Sequence, residues 1–125
     1  MGLSVYLYSD EYEKKCTCYE CNNIHTAIDR DTLFESHITH NLNTMADKAG
    51  IYKHLWRPKE LGITNAHQLI KPLEDGLRLL KSKRVFFMKF NPENGFGSYD
   101  GLVRFVRNYL DACKEYPDST VEVCA

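Results

Sequence analysis

The longest regular pattern of apolar residues lies between residues 32 and 49. Its apolar positions recur every three or four residues, the spacing that forms one stripe along a helix: Phe34, Ile38, Leu42, Met45 and Ala49. Asp31 or Thr32 can cap the first turn, and Gly50 is suited to end the helix. We therefore predict that residues 32–49 form the main helix and that this stripe faces the core.

Two further stripes at helical spacing lie in the second half of the chain. One covers residues 66–80, with Thr64 as its predicted cap. It passes through Pro72, where a kink or a break is expected because proline has no amide proton to donate. The other covers residues 102–113 and follows Ser98, which can cap it. These patterns predict two more helices.

Both ends of the chain have the composition of a strand. In residues 3–9, the aliphatic Val5 and Leu7 alternate with tyrosines, as in a strand with one buried face. Residues 120–124 follow the last helix and also favour a strand. The predicted fold class is therefore α+β, with about three helices packed on a small antiparallel sheet that pairs the N-terminal and C-terminal strands.

Length and composition narrow the classes of protein. The 125 residues correspond to a single domain. A formal net charge of −1 gives no overall field that would direct the chain to nucleic acid or to an anionic membrane. No apolar run approaches the ~18 residues of a membrane-spanning helix. Five cysteines without a signal peptide do not suit a closed disulfide framework, so we expect a reducing, cytoplasmic setting.

A cluster of cysteines at residues 16–25, CTCYECNNIH, predicts a metal-binding loop. Cys18 and Cys21 have the C-x2-C spacing with which two thiolates of one tight turn bind a tetrahedral zinc ion. The two asparagines that follow favour a turn rather than a helix. We therefore expect zinc to be bound through these two cysteines.

Two sets of residues can complete a four-ligand zinc site. Cys16 and His25 lie close in sequence and would give a local Cys3His site. His37 and His40 are three residues apart, on one side of the predicted main helix, and would attach the loop to that helix. We expect one or two histidines among the ligands. In the alternative interpretation, the cysteines are reduced thiols and the histidines are solvated, without a metal.

The same residues could also form a catalytic site. A thiolate beside a histidine is the arrangement of a Cys-His nucleophile, and Asn41 is near enough in sequence to orient the imidazole. However, the sequence around the cysteine cluster does not resemble a nucleophile elbow. We therefore expect binding rather than catalysis and assign no catalytic residue.

The turn-rich segment 91–101 contains a second candidate site. Gly95 and Gly97 permit positive φ angles and a close approach of the backbone to an anion, and Asn94 precedes them. The segment lacks the lysine and threonine of a phosphate-binding loop. This favours a tight loop that sets the start of the last helix, with ligand binding as the alternative.

Residues 81–90 combine positive charge with aromatic side chains, and their apolar run is too short to distinguish a strand from a helix. The interleaved residues are Lys81, Lys83, Arg84, Phe86, Phe87, Lys89 and Phe90. Such a segment can bind single-stranded nucleic acid. Because the chain is not basic overall, we expect instead that the phenylalanines belong to the core and the lysines to a solvated rim.

Three motifs resemble those of a group of small phage and bacterial proteins. The group shares an N-I-T-H/W/Y-N segment, an I-x-P-L-x-x-G-L helix and an N-G-W-G loop, and residues 38–41 and 94–97 match the first and third motifs. The chain departs from the group at His37, where asparagine is usual, and at Phe96, where tryptophan is usual. The resemblance implies a phage or prokaryotic origin but no specific activity.

These observations lead to two functional hypotheses. The first is a non-enzymatic cytoplasmic binding module, stapled by zinc, that acts on a host protein or inhibits a defence system; its partner would be another protein rather than nucleic acid or a membrane. The alternative is a small enzyme, or a protein that sequesters a nucleotide or another small ligand. Its pocket would join His40 and Asn41 to the loop residues Asn94, Gly95 and Gly97.

Overall fold

The computed structural model describes residues 2–17, 24–93, 95 and 97–125, with residues 12–17 and 24–29 described by their backbone. The strands are β1 (Gly2–Tyr8), β2 (Tyr12–Thr17), β3 (Ile24–Asp29), β4 (Thr32–Thr39) and β5 (Thr120–Cys124). The α-helices are α1 (Asn43–Lys48), α2 (Tyr52–Trp56), α3 (His67–Ser82), α4 (Arg84–Met88) and α5 (Tyr99–Glu115). Short 3-10 helices cover His40–Leu42 and Pro58–Leu61.

The main sheet is antiparallel and has the strand order β4-β1-β5. Its central strand buries Leu3, Val5 and Leu7 completely, while Tyr6 and Tyr8 on the other face are half-buried. The alternation follows from the period of two in a strand, because successive side chains point to opposite faces. The predicted α+β fold with paired terminal strands is confirmed. β2 and β3 form a second, two-stranded antiparallel sheet.

Helices α3 and α5 pack against each other, and α5 also packs against β4. Both bury the stripes predicted from the sequence, and a fully buried leucine of this kind contributes about 1.5–3 kcal/mol. Ser98 caps α5, since its hydroxyl accepts a hydrogen bond from the amide of Gly101 at 3.1 Å. None of the helices in the described part of the chain combines the length and the apolar character that a membrane crossing needs.

The start of α3 differs from the prediction. The helix begins at His67 and not directly after Thr64. The side chain of Gln68 reaches back instead, and its Oε1 accepts hydrogen bonds from the amides of Thr64 at 2.7 Å and Asn65 at 3.0 Å. The helix continues through Pro72 without a break, and Leu73 just beyond it stays fully buried.

The prediction of a helix over residues 32–49 is wrong for its first half. Residues 32–39 form strand β4, and only the short helix α1 follows the 3-10 turn. The reason is that a spacing of four residues is also twice the strand period, so Phe34 and Ile38 share one face in either structure. Threonine, phenylalanine and isoleucine in this segment favour the strand. Leu42 and Met45, in the second half, are buried as expected.

The predicted loop over residues 16–25 has strand residues at both of its ends. Residues 16–17 belong to β2, and residues 24–25 belong to β3. β-branched residues on both sides, among them Thr17 and Ile24, favour strand pairing over a loop. The remaining residues of the predicted loop, 18–23, lie outside the described part of the chain.

One buried hydroxyl in α5 leads to a stability prediction. Tyr109 is fully buried, burial raises its pKa well above the usual range, and its hydroxyl has no hydrogen-bond partner among the described residues. A buried polar group without a partner costs about 1–3 kcal/mol. We therefore expect Tyr109→Phe to raise the free energy of unfolding, measured by urea denaturation, by about 1 kcal/mol.

Tyr99 provides the matched control on the same helix. Its buried hydroxyl donates a hydrogen bond to the carbonyl of Leu80 at 2.7 Å. Tyr99→Phe should therefore lower the free energy of unfolding by about 1 kcal/mol. If Tyr109→Phe lowered stability by as much as Tyr99→Phe, the Tyr109 hydroxyl would have to be satisfied in the native protein.

Candidate ligand-binding cleft

A cleft of about 410 Å³ opens where the start of β1, the turn after β4 and helix α2 meet. It is lined by Gly2, His40, Tyr52, Trp56, Arg57 and Ala125. This volume lies within the range of about 300–1,000 Å³ that is usual for small-molecule sites. The lining combines aromatic rings with one guanidinium group, a mixture of apolar and charged groups that also occurs in small-molecule sites.

Helix α2 supplies the aromatic wall of the cleft. Tyr52 and Trp56 are four residues apart, so they lie one above the other on the same helix face. Their rings stack with centroids 5.4 Å apart and an angle of 22° between the planes. Trp56 is only 4% exposed, and the neighbouring Leu55 is fully buried, which holds this face in place. The half-buried ring of Tyr52 therefore faces the cleft with the buried ring of Trp56 behind it.

His40 forms the adjoining wall. Its ring meets Trp56 edge-on, with centroids 6.1 Å apart. Its Nε2 lies 3.3 Å from Nδ2 of Asn43, and the hydroxyl of Thr44 donates to Oδ1 of Asn43 at 3.3 Å, which orients the amide. In a neutral ring, Nε2 accepts from this amide nitrogen, which can only donate, and Nδ1 carries the proton. His40 therefore has an N–H group left to offer a ligand.

Arg57 places a positive charge at the end of α2. Its guanidinium is exposed and forms an ion pair with Glu60 at 3.3 Å. The pKa of Arg57 is raised, first by its interaction with the Tyr52 hydroxyl and then by Glu60, so the group stays charged. Exposed ion pairs of this type contribute little to stability, and a ligand anion can compete for the guanidinium.

A shallower cleft of about 220 Å³ adjoins the first on the other side of Tyr52. Asn43, Thr44 and Asp47 line it together with Tyr52. These side chains provide hydrogen-bond acceptors and donors but no positive charge. The two clefts together offer an aromatic surface, a cation and a set of groups suited to hydroxyls.

The structure brings the two motif segments of the predicted pocket together, although not as a pocket. Gly97 has a φ angle of +98°, and a Cβ atom there would lie 2.5 Å from Cγ2 of Thr39 and 3.0 Å from Cγ of Leu42. The amide of Asn41 donates to Oγ1 of Thr39 at 3.4 Å. The loop therefore packs directly against the segment that carries His40.

Of the predicted ligand-binding residues, His40 lines the main cleft. Asn41 is exposed beside it and is not among the lining residues. Gly95 and Gly97 have positive φ angles and serve the conformation of the loop, while Asn94 lies outside the described residues. Asn91 closes this loop, since its Oδ1 accepts a hydrogen bond from the amide of Tyr99 at 2.8 Å.

Of the six residues that line the cleft, the sequence patterns indicate only His40 as a ligand-binding residue. They do not identify Tyr52, Trp56 or Arg57. The available signal was the spacing of four residues between two large aromatic side chains, followed at once by a cation. The convergence of α2 with the ends of β1 and β4 is not visible in the sequence.

The predicted metal ligands are distributed over separate parts of the molecule. Cys16 and His25 are directly paired in the β2–β3 register. Cys18 and Cys21 lie outside the described residues. Among the side chains that are described, histidine, cysteine, aspartate and glutamate form no group of three suited to a metal ion. The strand register favours the local completion of the site, because it brings Cys16 and His25 together.

A zinc site completed by His37 and His40 requires a helix that carries both residues, and this helix does not form. The two residues do not share a helix: His37 lies in β4 and His40 begins the 3-10 turn after it. Nδ1 of His37 is 2.7 Å from the hydroxyl of Ser4, and its Nε2 is 3.7 Å from Glu35. Both histidines are near the end of β4, whereas the β2–β3 hairpin adjoins its start.

No family model matches the chain, and neither the curated proteins nor the solved structures contain a significant match to it.

Proposed function

We propose that the protein is a non-enzymatic binding module that sequesters a small planar anion of the nucleotide class in the His40 cleft. The observation that supports this most is the half-buried ring of Tyr52, backed by the buried ring of Trp56, next to the guanidinium of Arg57. A flat aromatic surface binds a nucleobase by stacking, and a guanidinium binds phosphate oxygens through paired hydrogen bonds. The cleft has the volume for such a ligand.

The remaining groups suit the other parts of a nucleotide. The Nδ1–H of His40 can donate to a ring acceptor or a phosphate oxygen. Asn43 and Asp47 in the adjoining cleft suit the hydroxyls of a sugar. The indole N–H of Trp56 is buried behind the ring of Tyr52 and has no hydrogen-bond partner among the described residues.

The environment of His40 favours binding over catalysis. Its Nε2 interacts with the neutral amide of Asn43. A general base is usually oriented and made more basic by a carboxylate, and a neutral amide does not provide that effect. If His40 acts on the ligand only by hydrogen bonding, incubation of the protein with nucleotide should leave the nucleotide unchanged. A His40-dependent product would contradict this assignment.

Replacing Arg57 tests the proposal. At least one of the four ribonucleoside monophosphates should bind in calorimetric titrations. Its affinity should exceed that of the corresponding nucleoside. Arg57→Gln should weaken nucleotide binding about 10- to 100-fold, the effect of losing a charge-assisted hydrogen bond. Binding of the nucleoside, which lacks the phosphate, should not change.

The control for this experiment is Arg107→Gln, which removes an exposed arginine of α5 away from the cleft. It should leave nucleotide affinity unaltered. Absence of binding for all four nucleotides at millimolar concentration would refute the proposal, as would equal affinities of the wild type and Arg57→Gln. The phage or prokaryotic origin remains a prediction from the resemblance, and the cytoplasmic location remains a prediction from the cysteine content. A role in counter-defence is a hypothesis, and sequestering a nucleotide is one way to serve such a role.

A further inference from the structure

A patch on helix α4 exposes apolar side chains that a folded domain would normally bury. Val85 is 76% exposed, Phe86 43% and Met88 40%. The helix is held in the fold by Phe87, which is 1% exposed and belongs to the core. Adjacent large apolar side chains on a surface usually mark an interaction site.

Positive charges surround these three side chains. We call Val85, Phe86 and Met88, together with the flanking cations Lys81, Lys83, Arg84 and Lys89, the α4 patch. All four cations are exposed, and residues 81–90 contain no acidic residue. Within the described part of the chain, these cations form no salt bridge with a carboxylate. With respect to the described residues, the patch therefore has four positive charges without a paired carboxylate, in a chain whose net charge is −1.

The central aromatic ring of the patch is already ordered. Phe86 contacts Phe87 and Phe90 edge-on, with ring centroids 5.1 Å and 5.4 Å apart. A side chain that is fixed before binding loses less entropy when a partner covers it. Phe86 is thus suited to act as an anchor.

We infer that the α4 patch docks an acidic amphipathic segment of another protein. An apolar centre with a charged rim is the usual composition of a protein interface, and the rim charge requires carboxylates on the partner. Nucleic acid would use stacking surfaces, whereas Val85 and Met88 are aliphatic. A helix of five residues is about 7.5 Å long, too short to lie in a membrane surface as an amphipathic helix.

A synthetic peptide tests this inference with the full-length protein. The probe is a fluorescein-labelled peptide with leucines at helical spacing on one face and glutamates on the flanks, compared with a scrambled peptide of identical composition. Fluorescence anisotropy should show binding of the amphipathic peptide alone, weakened by added salt. Phe86→Ser and the double reversal Lys83→Glu/Arg84→Glu should each reduce affinity at least about tenfold.

Two control variants match these substitutions. Leu61→Ser removes an exposed apolar side chain elsewhere, and Arg107→Glu reverses an exposed charge on α5. Both should leave the affinity unchanged. The inference is overturned if the wild type binds neither peptide, or binds both equally. It is also overturned if phosphatidylserine vesicles or oligothymidylate bind more tightly than the peptide, or if sedimentation shows a dimer that Phe86→Ser dissociates.

Discussion

Gly97→Ala should lower the free energy of unfolding by about 2–6 kcal/mol in chemical denaturation. Two effects combine at this position. Its φ angle of +98° is strained for a residue with a Cβ atom, at a cost of about 1–3 kcal/mol. The added methyl group would also overlap Thr39 and press on the buried Leu42, and overpacking costs about 1–3 kcal/mol.

Gly95→Ala separates the two effects. Gly95 has a φ angle of +77°, but a Cβ atom there meets nothing within 4 Å. This substitution should therefore cost only the backbone strain, about 1 kcal/mol. In the double variant Thr39→Ser/Gly97→Ala, the shorter serine removes the methyl group that clashes and should restore part of the lost stability. Equal losses for the two glycines, without rescue by Thr39→Ser, would contradict close packing of the loop against Thr39.

Freshly purified protein should contain about one equivalent of zinc, and removing it should lower the melting temperature markedly, since structural zinc contributes several kcal/mol to folding. We propose Cys16, Cys18, Cys21 and His25 as the ligands. The pairing of Cys16 with His25 across the β2–β3 hairpin supports this choice. Because thiolates must be deprotonated to bind the ion, acidification should release zinc.

The zinc content of purified Cys→Ser variants distinguishes the proposed ligands from the other cysteines. Cys18→Ser and Cys21→Ser should abolish zinc binding. Cys124→Ser, at an exposed position of β5, should retain it. So should Cys113→Ser, because burial raises the pKa of the Cys113 thiol to about 12 and keeps it protonated.

Histidine substitutions distinguish the two completions of the site. His25→Asn should reduce the zinc content, whereas His37→Asn and His40→Asn should leave it unchanged. Loss of zinc in His37→Asn or His40→Asn would instead favour a site completed by these two histidines. The structure disfavours that site, because His37 lies in strand β4 and does not share a helix with His40. Protein without zinc, in which the thiols of Cys16, Cys18 and Cys21 react readily with an alkylating reagent, would refute a metal site altogether.

The sequence predicts those elements in which the spacing of apolar residues fits only one type of secondary structure. The stripes of α3 and α5 span several helical turns, and the alternation of β1 continues over several residues, so the periods of 3.6 and 2 are unambiguous. Phe34 and Ile38 are separated by four residues, which fits both periods. The choice of strand for β4 comes from its pairing with β1, a contact that lies about 30 residues away in sequence.

The candidate site is predicted only in part for a related reason. His40 lies in the segment 38–41, and Gly97 of the segment 94–97 packs against Thr39 of that segment. Tyr52 and Arg57 join His40 only through the way α2 packs beside the ends of β1 and β4. That arrangement depends on tertiary contacts, which the local pattern of residues does not contain.

The most direct test of the proposed function uses the single tryptophan of the chain, since Trp56 gives one indole N–H resonance in a 15N-correlated NMR spectrum. The wild type is titrated with the ribonucleoside monophosphate that binds best, and with its nucleoside. We expect a saturable shift of the Trp56 indole resonance, with half-saturation at a lower concentration for the nucleotide than for the nucleoside. An indole resonance that does not move while the protein is saturated, or shifts confined to residues away from α2 and His40, would contradict the assignment of this cleft as the ligand site.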